Sequence, residues 1–257
     1  MSVLTNTRAS GALFVLALLI VWEITSRNVS GLSLLLPPFS TVVSHLIAST
    51  LSGEILSHGS ATLVRLFTGY FAGVIVAIPL GLLLGYLRPV YQLAEPLMEL
   101  LRPVPSIAIL PIAILFLGLG FQMQTAVIGW AVFWPVLIAT SDGVRSLDPT
   151  LINTARAYGY RTFGIFRRVA LPASLPYAMA GLRVALTIAL ILAVFIEMIT
   201  SGSGLGYLIA HYREAIRVPD MYGAIIAVAI LGYCLNMGFV WIERISVRWH
   251  HLSLQAS

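Results

Sequence analysis

From Val104 to Thr140 the chain runs for 37 residues without one charged side chain. A membrane-crossing helix takes about 20 apolar residues. The run is therefore too long for one helix and about right for two, with a natural break at Gly118-Leu119-Gly120-Phe121-Gln122. The rest of the sequence is built the same way, 59% hydrophobic and only 10% charged over 257 residues. A soluble domain carries roughly a quarter charged residues, so this chain cannot cover a globule with polar surface. The composition points to an all-α polytopic membrane protein, a single transmembrane domain over 1–257 with about six transmembrane helices. Searching for apolar runs places the spans at about 11–24, 66–87, 104–118, 123–140, 177–200 and 221–241.

The first span is short and carries Glu23 near its end. Arg8 before an apolar core resembles a signal peptide, but no small-x-small cleavage site follows, so an uncleaved helix is expected. Glycines at 69, 73, 81 and 85 recur near helical spacing in the second span, which suggests close helix packing. Between spans, Leu34–Leu51 reads as an amphipathic helix along the outer surface, capped by Ser40 or Thr41. Val90–Leu101 reads as a short inner-face helix. Pro103, Pro105 and Pro111 then deny the third span a continuous hydrogen-bond ladder, and a broken helix at membrane depth lines a cavity or packs against protein.

All fifteen basic residues are arginine. With the N-terminus inside, ten arginines fall on inner segments and four on outer ones, Arg183 lying within a span. Arginine asymmetry of this sign places both termini in the cytoplasm, and the net charge of +5 then reflects membrane sidedness; no nucleic-acid partner is expected. Without a lysine there can be no P-loop, whose lysine must reach the nucleotide phosphates. The single cysteine, Cys234, forms no internal disulfide, and His211, His250 and His251 show no metal constellation, so neither a metal nor a cofactor is expected in the chain.

One stretch, 148–172, presents charged structured surface to water. Asp148 suits a helix N-cap, Pro149 the first helical position, and Gly159 the left-handed residue that ends a helix. A helix over Pro149–Tyr158 is expected, with Leu151, Ile152 and Ala155 on one face. Thr162 would cap a second short helix through Val169, stopped by Pro172. Arg156, Tyr160 and Arg161 are left for a partner or for lipid headgroups. Most connections are far shorter than this elbow.

The same stretch resembles the cytoplasmic signature of permeases from binding-protein-dependent ABC importers: E-A-A, three residues, G, nine residues, I-x-L-P. Here Gly159 takes the glycine, Val169 the isoleucine, Leu171-Pro172 the terminal pair, and Asn153-Thr154-Ala155 the E-A-A positions, asparagine replacing the glutamate. Further similarity runs through Leu100–Pro111, Gly181–Arg183, Glu197-Met198 and Gly202–Tyr207. These segments resemble the subfamily that imports taurine, alkanesulfonates, nitrate and related small organic anions or vitamin precursors. The resemblance implies a type I ABC importer permease fold in the bacterial inner membrane. It implies a homodimer of two permease copies, two cytoplasmic ABC ATPase subunits holding ATP and Mg, and a periplasmic or lipid-anchored solute-binding protein. ATPase coupling would fall to Asn153, Thr154, Ala155, Arg156, Tyr158, Gly159, Arg161, Leu171 and Pro172.

Within the membrane, Ser106, Trp130, Trp134, Arg183 and Glu197 are the pathway candidates. Arg183 and Glu197, about 21 Å apart along one helix, cannot pair with each other; charges at that depth must face protein or water. Arg183 can also snorkel to headgroups, Glu197 can bind the Gly202–Gly206 loop, and the tryptophans can serve packing. An intramembrane enzyme is disfavoured, since no histidine lies inside a span and the aspartates all sit at loops. A secondary transporter or channel is the alternative, although neither needs a long cytoplasmic elbow.

Overall fold

A computed structural model describes residues 7–29 and 31–246. Side chains at 7, 8, 9, 12, 32, 162 and 163, and the expectations for His250 and His251, lie outside the described set. All regular structure among the described residues is helical: α1 (Thr7–Asn28), α2 (Leu32–Leu35), α3 (Phe39–Leu51), α4 (Glu54–Tyr86), α5 (Arg88–Leu101), a 3₁₀ turn (Ser106–Ile109), α6 (Leu110–Leu117), α7 (Phe121–Arg145), α8 (Pro149–Ala157), α9 (Thr162–Ile165), a π turn (Phe166–Ala170), α10 (Leu171–Thr200), α11 (Leu205–Glu214) and α12 (Val218–Ser246). Among the described residues, five stretches are long and apolar enough to cross a membrane: Ser33–Leu51, Glu54–Tyr86, Phe121–Arg145, Phe166–Thr200 and Val218–Ser246. A sixth arises if α5 and the 3₁₀–α6 segment, bent by 84°, are taken together.

Two of these depart from expectation. The 33–51 stretch qualifies by composition, but Pro37 and Pro38 break it, leaving α3 at 13 residues. At 1.5 Å per residue that is about 20 Å, short of the roughly 30 Å hydrocarbon layer. Neither Ser40 nor Thr41 caps α3, whose N-cap is Pro38. The duty passes to Glu23 of α1, which accepts the Ser40 N–H (3.0 Å) and hydroxyl (2.8 Å) and pairs with Arg27 (2.6 Å). At the other, Pro105 and Pro111 reduce the third span to a 3₁₀ turn and an eight-residue helix, again about 20 Å in all.

The chain divides into two compact units, Met1–Ala61 with Glu197–Ile230, and Thr62–Ile196 with Leu231–Ser257. In the first, Trp22 packs on Phe39 and Tyr222. The second holds the main core, in which Leu66, Met123, Ile128, Val132, Val136, Ala185, Ala189 and Ile196 are all buried. The α4 glycines set its geometry: a Cβ on Gly73 would come within 2.5 Å of the Gly129 carbonyl, and one on Gly81 within 2.8 Å of Leu137 O. Only glycine lets α4 and α7 backbones approach this closely, the packing device of helices that gain nothing from hydrophobic exclusion in lipid. Leu83, Phe116 and Ile191 remain exposed on the outside of the same bundle, as a lipid-facing surface requires.

Candidate functional site: the elbow and the membrane cavity

The elbow lies wholly within the second unit. The Asp148 carboxylate accepts the Thr150 N–H at 2.7 Å, and that bond holds its pKa below the ordinary value. Helix α8 ends in a Schellman motif: Gly159 N–H donates to Arg156 O (2.9 Å) and Tyr160 N–H to Ala155 O (3.1 Å). Gly159 sits at φ +79°, the left-handed conformation the motif demands. Ala155 is buried, and Ile152, with the otherwise exposed Arg156, lines a cavity of about 290 Å³ shared with Gly85, Tyr86, Val144 and Ile165. Leu151, expected on the same face, is exposed. Three residues before Thr154 on the helix, it stands at the edge of the inward stripe.

Asn153, Thr154, Arg156, Tyr158, Gly159 and Arg161 are thereby gathered on exposed surface, Tyr158 at 81%. Leu171 and Pro172, also exposed, stand at the start of α10. Pro172 does not end the second helix. The chain runs from Thr162 to Thr200 without leaving helical geometry, through the π turn, where Leu171 N–H reaches back five residues to Phe166 O. The widened turn absorbs the proline ring, which would clash with the fourth carbonyl before it in a regular α-helix. Two braces carried no sequence signal: Arg168 donates to the Tyr160 hydroxyl at 2.9 Å, and Tyr86 meets Phe166 edge-on at 5.2 Å.

A second cavity, of about 530 Å³, opens beside the broken third span. Ser106 and Trp134 line it, with Arg102 and Asp142 as its charged groups and Gly181, Val184 and Ile188 contributed by α10. Arg102 was not among the pathway candidates of the sequence; lying just before the Pro103-Val-Pro105 break is the feature that could have flagged it. Trp130 stacks edge-on against Trp134 at 5.3 Å and does not reach the cavity. Nor does Arg183, whose Nε donates to Asn236 of α12 at 3.1 Å, with Glu243 at 3.8 Å. Glu197 is buried in the first unit and accepts the Gly206 N–H at 3.1 Å. Its carboxylate occupies the space that a Cβ on Gly204 would need.

Residues 69–250 match the family of binding-protein-dependent transport system inner membrane components. The chain is 33% identical over 217 residues to a probable ABC transporter permease of Brucella melitensis biotype 1, covering 84% of this chain and 88% of that one. It is 29% identical over 249 residues to the taurine transport system permease TauC of Escherichia coli K12, covering 95% and 90%. Among solved structures it resembles a chain of the MetNI methionine ABC transporter in inward-facing form, with a TM-score of 0.64, 20% identity, and coverage of 72% and 92%. The fold is that of ABC importer permeases, and this chain belongs to the binding-protein-dependent ABC transporter permeases, the multi-pass inner-membrane components that work with a separate ATPase and a solute-binding protein and are not themselves catalytic.

Proposed function

We propose that two copies of this chain form the solute pathway of an ATP-driven importer, and that each copy receives one cytoplasmic ATPase subunit on its 148–172 elbow. The observation that carries this is the elbow itself: a capped, braced, two-helix projection whose residues Asn153, Thr154, Arg156, Tyr158 and Arg161 face outward rather than into the core. Both termini lie in the cytoplasm, following the arginine asymmetry. The spans are those at about 11–24, 66–87, 104–118, 123–140, 177–200 and 221–241.

The solute is a small organic anion of the sulfonate, taurine or nitrate type, or a vitamin precursor. Relatives named for taurine, aliphatic sulfonates and bicarbonate support that range. A volume near 530 Å³ falls within that of small-molecule sites, and Arg102 supplies a guanidinium suited to an anionic group. The test is reconstitution in vesicles with and without the cognate ATPase. Uptake should require ATPase, ATP and Mg together; accumulation by the permease alone would instead establish a secondary transporter or channel.

A further inference from the structure

Arg102 and Asp142 line not only the 530 Å³ cavity but also a neighbouring one of about 110 Å³, to which Glu95, Glu99 and Ser141 are added. Both cavities lie within the second unit. Helical spacing builds the smaller one. Glu95 and Glu99 stand four residues apart on α5, with Arg102 three beyond, just past the helix end. Ile138, Ser141 and Asp142 share a face of α7 by the same three- and four-residue rule.

The charges here are unpaired. Glu99 and Arg102 have the spacing of a helical ion pair, yet the side chains of Glu95, Glu99, Arg102 and Asp142 make no hydrogen bond or ion pair among the described residues. Arg145, one turn beyond Asp142, is engaged over the Tyr91 ring at 3.5 Å. Two buried polar groups are also unsatisfied. The Ser141 hydroxyl, on a residue only 1% exposed, has no hydrogen-bond partner, and neither has the indole N–H of Trp134. A buried polar group without a partner is destabilising and calls for an explanation. The unpartnered groups sort by kind: the smaller cavity holds three carboxylates and a hydroxyl, and the larger one the Trp134 donor, with Arg102 lining both.

We propose that the two cavities together bind a small solute carrying a protonated amine and an anionic group on one short skeleton, so that the permease itself selects for the amine. This rests on the reading of the chain as an importer permease whose solute passes the 530 Å³ cavity, and it narrows the solutes supported there. Three carboxylates against one unpaired guanidinium leave an excess of negative charge. That excess repels a solute that is only an anion and draws in a positive group. An ammonium has three N–H donors, which Asp142, a glutamate and the Ser141 hydroxyl can accept. The smaller cavity has room for that group and a few waters. The anionic group then meets Arg102, whose guanidinium suits a sulfonate or a carboxylate, and the rest of the solute occupies the larger cavity. A metal ion is a poorer occupant: among the described residues no three His, Cys, Asp or Glu side chains are placed to hold one.

The experiment uses the assembled permease–ATPase complex in nanodiscs without binding protein, so that any selection belongs to the permease. Binding of radiolabelled taurine, β-alanine, ethanesulfonate and ethylamine is measured by equilibrium dialysis. Taurine and β-alanine, which carry both groups, should bind about equally, and ethanesulfonate and ethylamine, which keep one group each, should be weaker by about tenfold or more. Glu95→Gln with Asp142→Asn should bring ethanesulfonate level with taurine. Arg102→Gln should weaken taurine and ethanesulfonate but not ethylamine, a pattern that misfolding cannot produce because it would weaken all three. Ethanesulfonate as tight as taurine in the wild type overturns the proposal. So does ethylamine as tight as taurine, which makes the site one for cations alone, and so does an absence of all binding. Where these results fail but uptake still requires ATPase, ATP and Mg, only the charge selection falls; uptake without the ATPase removes the importer reading instead.

Discussion

Gly159 offers a clean separation of backbone conformation from packing. Its φ is +79°, and a Cβ built there would meet no atom within 4 Å. Any substitution is therefore penalised through φ alone. An L-residue in the left-handed region costs about 1–2 kcal/mol, with asparagine at the low end and β-branched residues at or above the top. The penalty has a ceiling, because the turn can open instead, giving up the Gly159 and Tyr160 hydrogen bonds at about 1 kcal/mol each. Gly159→Val should thus cost about 2 kcal/mol, Gly159→Ala about 1, and Gly159→Asn a few tenths. If the ATPase binds only the closed elbow, its affinity falls as the closed fraction does: with the open turn about 2 kcal/mol higher in wild type, valine brings the two forms level for about a twofold loss, and alanine loses less than about 1.5-fold. Binding of the cognate ATPase to purified permease in nanodiscs measures this, with membrane insertion of each variant checked in parallel. Wild-type affinity in Gly159→Val refutes the reasoning, and so does an asparagine variant as weak as valine, which would make side-chain bulk rather than φ the cause.

Four further expectations follow from particular contacts. The Asp148 carboxylate has its pKa lowered by the Thr150 N–H, so the cap's contribution is complete above the ordinary value of 3.8 and disappears as pH falls through the lower folded value. Hydrogen exchange over 149–158 should show that acid dependence in wild type and lose it in Asp148→Asn. Gly204→Ala adds a Cβ where the Glu197 carboxylate lies, at φ +111°; its steady-state membrane level should fall sharply, and Glu197→Ala should restore it only in part, because φ is unchanged. For Arg183, the Asn236 contact predicts a double-mutant coupling energy of about 0.5–1 kcal/mol in thermal stability, and additivity of Arg183→Ala with Asn236→Ala would leave the arginine to the headgroups. At Asn153, exposed on α8, Asn153→Glu should be tolerated and Asn153→Ala should weaken coupling by a small factor, a neutral hydrogen bond being worth about 1 kcal/mol. A large loss with glutamate alone in an ATP-driven uptake assay would show a partner surface hostile to negative charge.

What the sequence made legible was whatever depends on one residue's own chemistry. Asp148, Pro149 and Gly159 each have a conformational or hydrogen-bonding preference strong enough to act without help, and the α8 boundaries followed from them. Close packing at the α4 glycines was readable for the same reason, since only glycine permits it, but that α7 is the neighbour was not. Readings that depended on a distant partner were beyond reach. Ser40 looked like a cap, but the acceptor is Glu23, seventeen residues earlier. Arg183 looked like a pathway or headgroup residue until Asn236, fifty-three positions on, supplied its acceptor. Pro172 looked like a stop because an α-helix has no place for its ring, and nothing in the local sequence announces a π turn.

That π turn bears on how an elbow could do mechanical work. If Pro172 had ended the second short helix, a flexible joint would separate the elbow from the membrane, and force on one would dissipate before reaching the other. Instead Thr162–Ile165, the π turn and α10 form one uninterrupted helical path. Arg168 ties its base to Tyr160, just past Gly159. The same α10 carries Ala180, Gly181, Val184 and Ile188 along the wall of the 530 Å³ cavity. Ile188 lies 18 residues beyond Ala170, or about 27 Å along the axis. A helix transmits displacement as a rigid element, so a shift imposed at Gly159 and Tyr160 moves the cavity wall, provided the π turn does not yield. The signature positions then divide by what each does physically. Gly159 shapes the turn, Pro172 sits where the helix widens to keep its continuity, and Asn153 with its neighbours stays exposed on α8, on the surface proposed for the ATPase.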